Sequence, residues 1–524
     1  MESNQKVGQT AGTVGSMTLI SRLLGFMRDL VIAMQFGATS AADAFFVAFR
    51  IPNVQRKMLG EGAVTAAFIP IFTEIRAQKG EEDAWKMTAN LFNILLTVLT
   101  TSSLALAIFA PFIIMIFAPG FIAIPDKFDL AVLLTQWMAP YLLFIGLAVF
   151  CMGILNTCNI FALPAISPAI LNISMIAGAL IISPQLEEPV LGLAFGVLVG
   201  GFLQFLIQLP AVSQCGFKFI PSIEWKSAEV IRISKLMVPV IFGLAVYELN
   251  MLVDTLLASL LPEGSISFLY YGNRLVQLPL GVFGVALGVA ILPMLSHQVA
   301  NKDFSQMIKT IAFGIRLILF ITVPATIGLI ILRFPIVNTL WERGEFVRLT
   351  TEGTATALLY YSVGLCAFCG IKVIVPAFYS LQDTKTPVKI GIYSMMLNVV
   401  LNLILMGPLK HGGLALATSI AALFNVILLI HLLRKRLGLM GGRKILTSAV
   451  KLFVVSGIMG ITVYFFNAAF FDPTAASIPK LLVLSADIVI GVTLYGILSH
   501  VIQNEELSFL IELARKRKKK SSIH

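Results

Sequence analysis

Apolar stretches of roughly 18 to 30 residues follow one another along almost the whole chain, and no other feature constrains its fold as much. A helix rises about 1.5 Å per residue, so each stretch can cross a hydrocarbon core about 30 Å thick. In that medium every backbone N–H and C=O must be satisfied within the protein, which leaves helices or a closed barrel. Few of the stretches alternate with period two, so a barrel is disfavoured. Composition agrees: 58% of the residues are hydrophobic and 12% charged, where soluble domains average about half and about a quarter. The fold class is an all-α polytopic membrane protein.

The pattern divides into fourteen spans, near 14–36, 41–74, 88–119, 131–157, 160–182, 189–212, 229–260, 265–296, 305–333, 354–381, 387–407, 411–433, 445–467 and 478–502. An even number puts both termini on one side. With the N-terminus inside, the connections on that side carry Arg76, Lys79, Lys86, Lys218, Lys226, Arg232, Lys235, Lys302, Lys309, Lys385, Lys389, the run Arg434 to Lys444, and Arg515 to Lys520. The opposite connections hold only Lys127, Arg343, Arg348, Lys410 and Lys480. That asymmetry places both termini in the cytoplasm. It also explains the net charge of +11 without nucleic acid, and the basic tail reads as a membrane-surface cluster. Trp85, Trp137, Trp225 and Trp341 fall near span ends, where interfacial anchors belong. No cleavable signal peptide is expected, because the polar start runs into a full-length span.

An internal repeat is visible. Asp43-Ala-Phe-Phe-Val-Ala-Phe-Arg50 leads through a Gly- and Ala-rich helix to Phe68-Ile-Pro70, and Ser267-Phe-Leu-Tyr-Tyr-Gly-Asn-Arg274 leads likewise to Ile291-Leu-Pro293. Six spans per unit leave the copies parallel. The chain then parses as a first lobe over 1–225, a second over 226–437, and two added helices with a basic tail over 438–524. Such transporters hold substrate between lobes and alternate access by rocking. The alternative is chance similarity between helices of like composition.

Charges within the spans carry the functional information. An ionised side chain near the bilayer centre costs about 2.5–3.5 kcal/mol on insertion scales, so each needs a partner or a wet cavity. The first span holds Arg22, Arg28 and Asp29; the second holds Asp43, Arg50, Asn53, Arg56, Lys57 and Glu61; the eighth holds Arg274. Cations outnumber anions even after internal pairing. A guanidinium donates two hydrogen bonds in a planar fork that matches phosphate, so the surplus points to an anionic substrate. Pairs such as Arg28–Asp29 or Arg56–Glu61 are also candidates for purely structural ion pairs.

The second lobe is different in chemistry. Asp254 lies in span 7, Asn398 and Asn402 share a face of span 11, and Thr418 lies in span 12. A carboxylate with neutral oxygens suits sodium, or a proton on Asp254; the alternative is that the asparagines only bond across helices. Catalytic signatures are missing: there is no Walker motif, nucleophile elbow, HExxH or dinucleotide loop. The histidines are dispersed, and Cys366-Ala-Phe-Cys369 has no second pair, so the five cysteines read as inert buried thiols.

Ser21-Arg22-Leu-Leu-Gly25-Phe-Met-Arg28-Asp29, Asp43 through Asn53 and Glu61-Gly62-Ala together resemble the amino-terminal signature of the lipid II flippase family MurJ (MviN). Tyr270-Tyr-Gly-Asn-Arg274-Leu and Phe378 through Lys389 resemble its later blocks. The likeness covers essentially the whole chain. It implies the MOP exporter superfamily fold, two six-helix lobes in a V plus two C-terminal helices. It implies that Arg22, Arg28, Arg56 and Arg274 bind the pyrophosphate and sugar–peptide head group, with Asn53 beside them and Asp29, Asp43 and Glu61 in gating or support. It also implies a groove for the polyprenyl tail at the last two spans, and a sodium site in the second lobe at Asp254, Asn398, Asn402, Leu414 and Thr418. Asn402 stands where the best-defined such site has a carboxylate.

The expected activity is transport of lipid II, the undecaprenyl-pyrophosphate-linked disaccharide peptide, across the bacterial inner membrane. No bond is made or broken, so the chain is not expected to be an enzyme. Expected partners are lipid II and membrane lipids, with no nucleic acid, no required cofactor beyond the sodium question, and a functional monomer. An exporter of another lipid-linked oligosaccharide, of O-antigen type, is the alternative. A drug exporter would want an acidic cavity, and a membrane glycosyltransferase would need catalytic carboxylates and a large external domain.

Overall fold

Charge and glycine decide where the apolar pattern becomes helix and where helix breaks. The computed structural model describes residues 2–58 and 64–512, without the side chains of 2–11, 64–66 and 242–247. The described residues form helices and no strand. In the first part these are α1 (Glu2–Phe36), α2 (Ser40–Met58), α3 (Val64–Gln78), α4 (Glu81–Ile108), α5 (Ala110–Phe117), α6 (Pro125–Thr157), α7 (Ala162–Ala177), α8 (Leu191–Leu206), α9 (Leu209–Gln214) and α10 (Ala228–Ser259). The remainder are α11 (Ser265–Pro279), α12 (Val285–Ala300), α13 (Phe304–Ile331), α14 (Arg333–Trp341), α15 (Arg348–Val363), α16 (Leu365–Ser380), α17 (Lys385–Leu409), α18 (His411–Leu437), α19 (Gly442–Phe470) and α20 (Ser477–Val501).

Ten helices among the described residues are long and apolar enough to cross a membrane, and α15 with α16, bent by 42° between them, are long and apolar enough together. The other three expected spans, near 14–36, 41–74 and 229–260, coincide with α1, the α2–α3 pair and α10. Charge within α1 and α2 lowers their hydropathy: these are the helices that carry Arg22, Arg28, Asp29, Asp43, Arg50, Arg56 and Lys57. Within the stretch near 41–74 the described residues are α2, to Met58, and α3, from Val64. For these three the count of fourteen rests on the sequence.

Packing divides the chain into two compact units. One runs to Ser267 and includes Arg343–Phe346; the other holds Phe268–Glu342 and the chain from Val347 onward. The α10 helix therefore packs with the first unit, although the sequence repeat counts it as the opening helix of the second lobe. Packing and repeat symmetry are separate properties, and the division near 225 and 437 rests on the repeat.

In the first unit α6 is the central element, and 78% of its most apolar window is buried. It packs against α2, α4 and α8. At one end an aromatic cluster fills the core, with Phe68 and Phe150 ring centroids 5.1 Å apart and Phe72 and Trp85 5.0 Å apart. Beside it, Gly192, Gly196 and Gly200 recur every fourth residue along α8; the last two let α7 approach at backbone distance, and Gly192 does the same for the residues Gly178 and Ser183 that follow α7. A Cβ on Gly196 would lie 2.7 Å from the Ser174 carbonyl oxygen and 2.9 Å from the Met175 Cα. The end of α1 is held by the short segment 343–346: the Glu345 amide donates to the Met34 carbonyl at 2.9 Å. Gly37 and Gly344 both take positive φ there, the first against the Glu345 carbonyl and the second against the Met34 carbonyl, where a side chain has no room.

In the second unit α13, α19 and α20 share a seam of Phe320, Val323, Leu452, Val455, Met459 and Tyr495, and the Tyr495 hydroxyl donates to the Phe320 carbonyl at 2.7 Å. The outer faces of α19 and α20 expose Phe453, Ile461, Phe465, Leu482, Val489 and Val492, a surface suited to hydrocarbon rather than water. The turn into α17 explains part of the Phe378–Lys389 block. Asp383 accepts from the Thr386 amide at 2.9 Å and hydroxyl at 2.6 Å, and pairs with Arg436 at the end of α18 at 2.6 Å. Burial pushes the Asp383 carboxyl up, but the Thr386 hydrogen bonds and the Arg436 charge outweigh it and hold the group below its ordinary value. The five cysteines are free thiols.

Because the α7–α8 contact is backbone on backbone, Gly196→Val should overpack it and cost roughly 1–3 kcal/mol. Thermal unfolding of the purified protein in detergent should shift to lower temperature. A variant that melts with the wild type would mean that the two helices do not approach this closely.

Candidate anion-binding site

The intramembrane charges sort by partner. Arg28 lies on the buried side of α1 and is 9% exposed, while Asp29 is fully buried. The Arg28 Nε and Nη2 donate to Asp29 Oδ1 at 3.0 and 2.6 Å, and Nη1 donates to Asn172 Oδ1 on α7 at 3.1 Å. The Asn172 amide in turn donates to the Ser21 carbonyl at 3.1 Å. Consecutive residues on a helix point about 100° apart, so an adjacent Arg–Asp pair closes only when the long guanidinium stem folds back and a third group fixes it. Asn172 supplies that group. The structural-pair alternative is realised here, with the guanidinium held in place rather than free to swing.

Two further cations on α2 meet α10. Arg50 donates to the Met251 carbonyl at 3.0 Å and to the Thr255 hydroxyl, both neutral acceptors. Lys57 forms an ion pair with buried Glu248 at 3.0 Å. At the opposite end of α2, Asp43 is saturated. It accepts from Lys127 Nζ at 2.8 Å, the Gly264 amide at 2.9 Å, the Ser267 amide at 3.0 Å and the Ser267 hydroxyl at 2.7 Å. Lys127 is 4% exposed and also lies 4.5 Å from the Phe121 ring centroid. Asp43 thus ties the starts of α2, α6 and α11 together and faces no solvent. In the sequence Lys127 reads only as a loop charge. The available signal was its place in the first turn of a Pro-initiated helix, where its side chain packs on the apolar Phe121 just ahead of the helix start.

What remains is Arg22 and Arg56. Arg56, half-buried on α2, donates Nε to Asn53 Oδ1 at 2.8 Å, and among the described residues neither Arg56 nor exposed Arg22 has an acidic partner. Glu61, the expected partner of Arg56, lies outside the described residues. The first unit therefore presents surplus guanidinium beside one that is already rigidly positioned, which is the electrostatics an anion requires. Arg274 is half-buried on α11 in the second unit, next to Asn273 and about one turn from Gln277, and these two bond to each other at 2.6 Å.

Four of the five residues expected for a cation come together in the second unit. Asn402 donates to Asn398 Oδ1 at 3.0 Å, Asn398 donates to Thr418 Oγ1 at 3.3 Å, and Thr418 donates to the Leu414 carbonyl at 2.9 Å. Asn398, Asn402 and Leu414 are buried. Asp254 sits on α10 in the first unit. Among the described residues no group of three or more His, Cys, Asp or Glu side chains is spaced to hold a metal.

Residues 32–484 match the family model for lipid II flippase MurJ. A Vibrio cholerae protein described as a probable lipid II flippase MurJ is 42% identical over 424 residues, 79% of this chain and 81% of that protein. A Haemophilus influenzae relative of the same description is 37% identical over 463 residues, 86% of this chain and 91% of its own. Among solved structures, lipid II flippase MurJ in an inward closed conformation superposes with a TM-score of 0.79 at 28% identity, covering 93% of this chain and 98% of that one. A multidrug resistance MATE transporter of the MOP superfamily superposes with a TM-score of 0.67 at 14% identity over 82% of this chain, a likeness of fold alone. The chain belongs to the lipid II flippase MurJ family.

Proposed function

We propose that this chain moves lipid II from the cytoplasmic to the periplasmic leaflet of the bacterial inner membrane, for cell wall synthesis. Family membership and the unpaired guanidinium surplus on the first unit support this together: a pyrophosphate needs fixed cationic donors, and a transported anion must displace water rather than a resident carboxylate. The pyrophosphate meets Arg22, Arg56 and Arg274, and Arg28 adds a positioned donor edge. Asn53 and Asp29 orient Arg56 and Arg28, while Asp43 and Glu61 support or gate. The polyprenyl tail stays in lipid against the last two spans. The two lobes, 1–225 and 226–437, alternate access around the head group. Both termini face the cytoplasm, and the monomer is the working unit.

Nothing in this cycle changes a covalent bond, so the chain acts as a transporter. The work comes from the membrane potential, a cation gradient or both, one charge moved through 100 mV being worth about 2.3 kcal/mol. The Asn398–Asn402–Thr418 chain with Asp254 is the proposed cation site. It supplies neutral oxygens but, with asparagine at 402, only one carboxylate, so sodium is held weakly and only where Asp254 joins it.

Two measurements test these roles. Removing one charged donor to a bound anion costs roughly 1.5–3 kcal/mol, so Arg56→Ala and Arg22→Ala, neither of which strips a carboxylate of its partner among the described residues, should insert normally yet fail to rescue growth of a flippase-depleted strain. Full rescue by either would contradict the anion site. Sodium titration of the purified protein, followed by intrinsic fluorescence, should give a saturable signal that Asp254→Ala removes. Identical flat titrations for wild type and variant would dispose of the cation site.

A further inference from the structure

A cavity of about 140 Å³ lies beside Arg56, walled by α2, α6, α7 and α8. Its polar lining is Arg56, Ser167, Gln204 and Gln208, and Ala148, Val149 and Pro168 belong to its apolar wall. Gln204 and Gln208 are 3% and 1% exposed. The Gln204 Nε2 donates to the Ser167 carbonyl at 2.9 Å, and the Gln208 Nε2 donates to the Gln204 carbonyl at 3.0 Å. Both partners are acceptors only, so both amides are fixed in orientation. Each is left with a buried Oε1 that has no donor. An orphaned buried acceptor costs about 1–3 kcal/mol, and two beside one cavity mark the place of a missing donor.

The occupant has to answer three surfaces at once. The Gln oxygens need an N–H or O–H. Arg56 spends Nε on Asn53, which leaves its terminal amino groups for an acceptor oxygen. The apolar wall needs a small hydrophobic group. Water or a hydroxyl answers the polar surfaces and leaves the wall unmatched. A secondary amide bearing a methyl answers all three, and the volume has room for one such group or a few waters. We propose that this cavity is a subsite for an acetamido group of the lipid-linked head group, and that Gln204 and Gln208 set specificity for it. On the proposed topology all these residues lie toward the cytoplasmic end of their helices, where the head group enters. The assignment rests on the function proposed above and adds to it a second contact, distinct from the arginine–pyrophosphate contact.

The test compares two lipids on the full-length protein in nanodiscs: lipid II, and undecaprenyl pyrophosphate, which has the same tail and a pyrophosphate but none of the disaccharide peptide that carries the acetamido groups. Gln204→Met with Gln208→Met removes both acceptors at similar volume. Ala148→Leu fills the cavity from its apolar wall and leaves every polar partner in place. In both variants affinity for lipid II should fall about ten-fold, one decade being 1.4 kcal/mol, while affinity for undecaprenyl pyrophosphate stays within about two-fold of wild type. Variants that keep the wild-type preference for lipid II would overturn the subsite and leave a water-filled void. Equal loss for both lipids would overturn it too, as damage to the lobe. A wild type that binds neither lipid would overturn the proposed function itself, and the subsite with it.

Discussion

A guanidinium cannot be left bare in hydrocarbon, and the first unit is organised around satisfying one. Arg28 is held on three sides: by Asp29 next to it in sequence, by Asn172 on α7, and through Asn172 by the Ser21 carbonyl of its own helix. This network works only if α7 lies close along α1, and α7 lies there because the glycines of α8 let it pack at backbone distance. Small residues on α8 therefore set the position of a charge on α1. Removing either partner would leave a buried charge uncompensated, which is far more costly than the pair is stabilising.

The same constraint separates the other charges by role. Asp43 with Lys127, and Lys57 with Glu248, are neutral pairs that join helices distant in sequence. Arg50 is spread over a carbonyl and a hydroxyl on α10. These contacts fasten the helices. Arg56 and Arg22, which have no acidic partner among the described residues, are the ones whose charge is available to a ligand. A transporter has to keep these two classes apart: a fastening that competed for the substrate would open whenever substrate bound.

The helical class, most of the spans and the α1–α2 charge signature were legible in the sequence because each is written in local pattern. Apolar length fixes the spans, and charge within an apolar run is conspicuous. Partners far apart in the chain were not legible. Nothing near Arg28 announces Asn172, which reads as one polar residue in an apolar helix, and Lys127 reads as a topology marker until it is found 2.8 Å from Asp43. Gln204 and Gln208 were equally silent, because a glutamine near a span end is ordinary; only burial with an orphaned oxygen distinguishes them. The packing of α10 with the first unit was also hidden, since repeat symmetry speaks of descent and topology rather than of contacts.

The central claim is that the available arginines serve to carry lipid II across the membrane, and the leaflet occupied by lipid II tests it most directly. Cells depleted of the chromosomal flippase and supplied with this chain would be exposed to a membrane-impermeant reagent that labels the head-group amine. The account predicts labelling restored by the wild-type chain and absent when both Arg22 and Arg56 are replaced by Ala, with the total lipid II pool undiminished. Equal labelling with and without the chain, or with and without its two arginines, would contradict it.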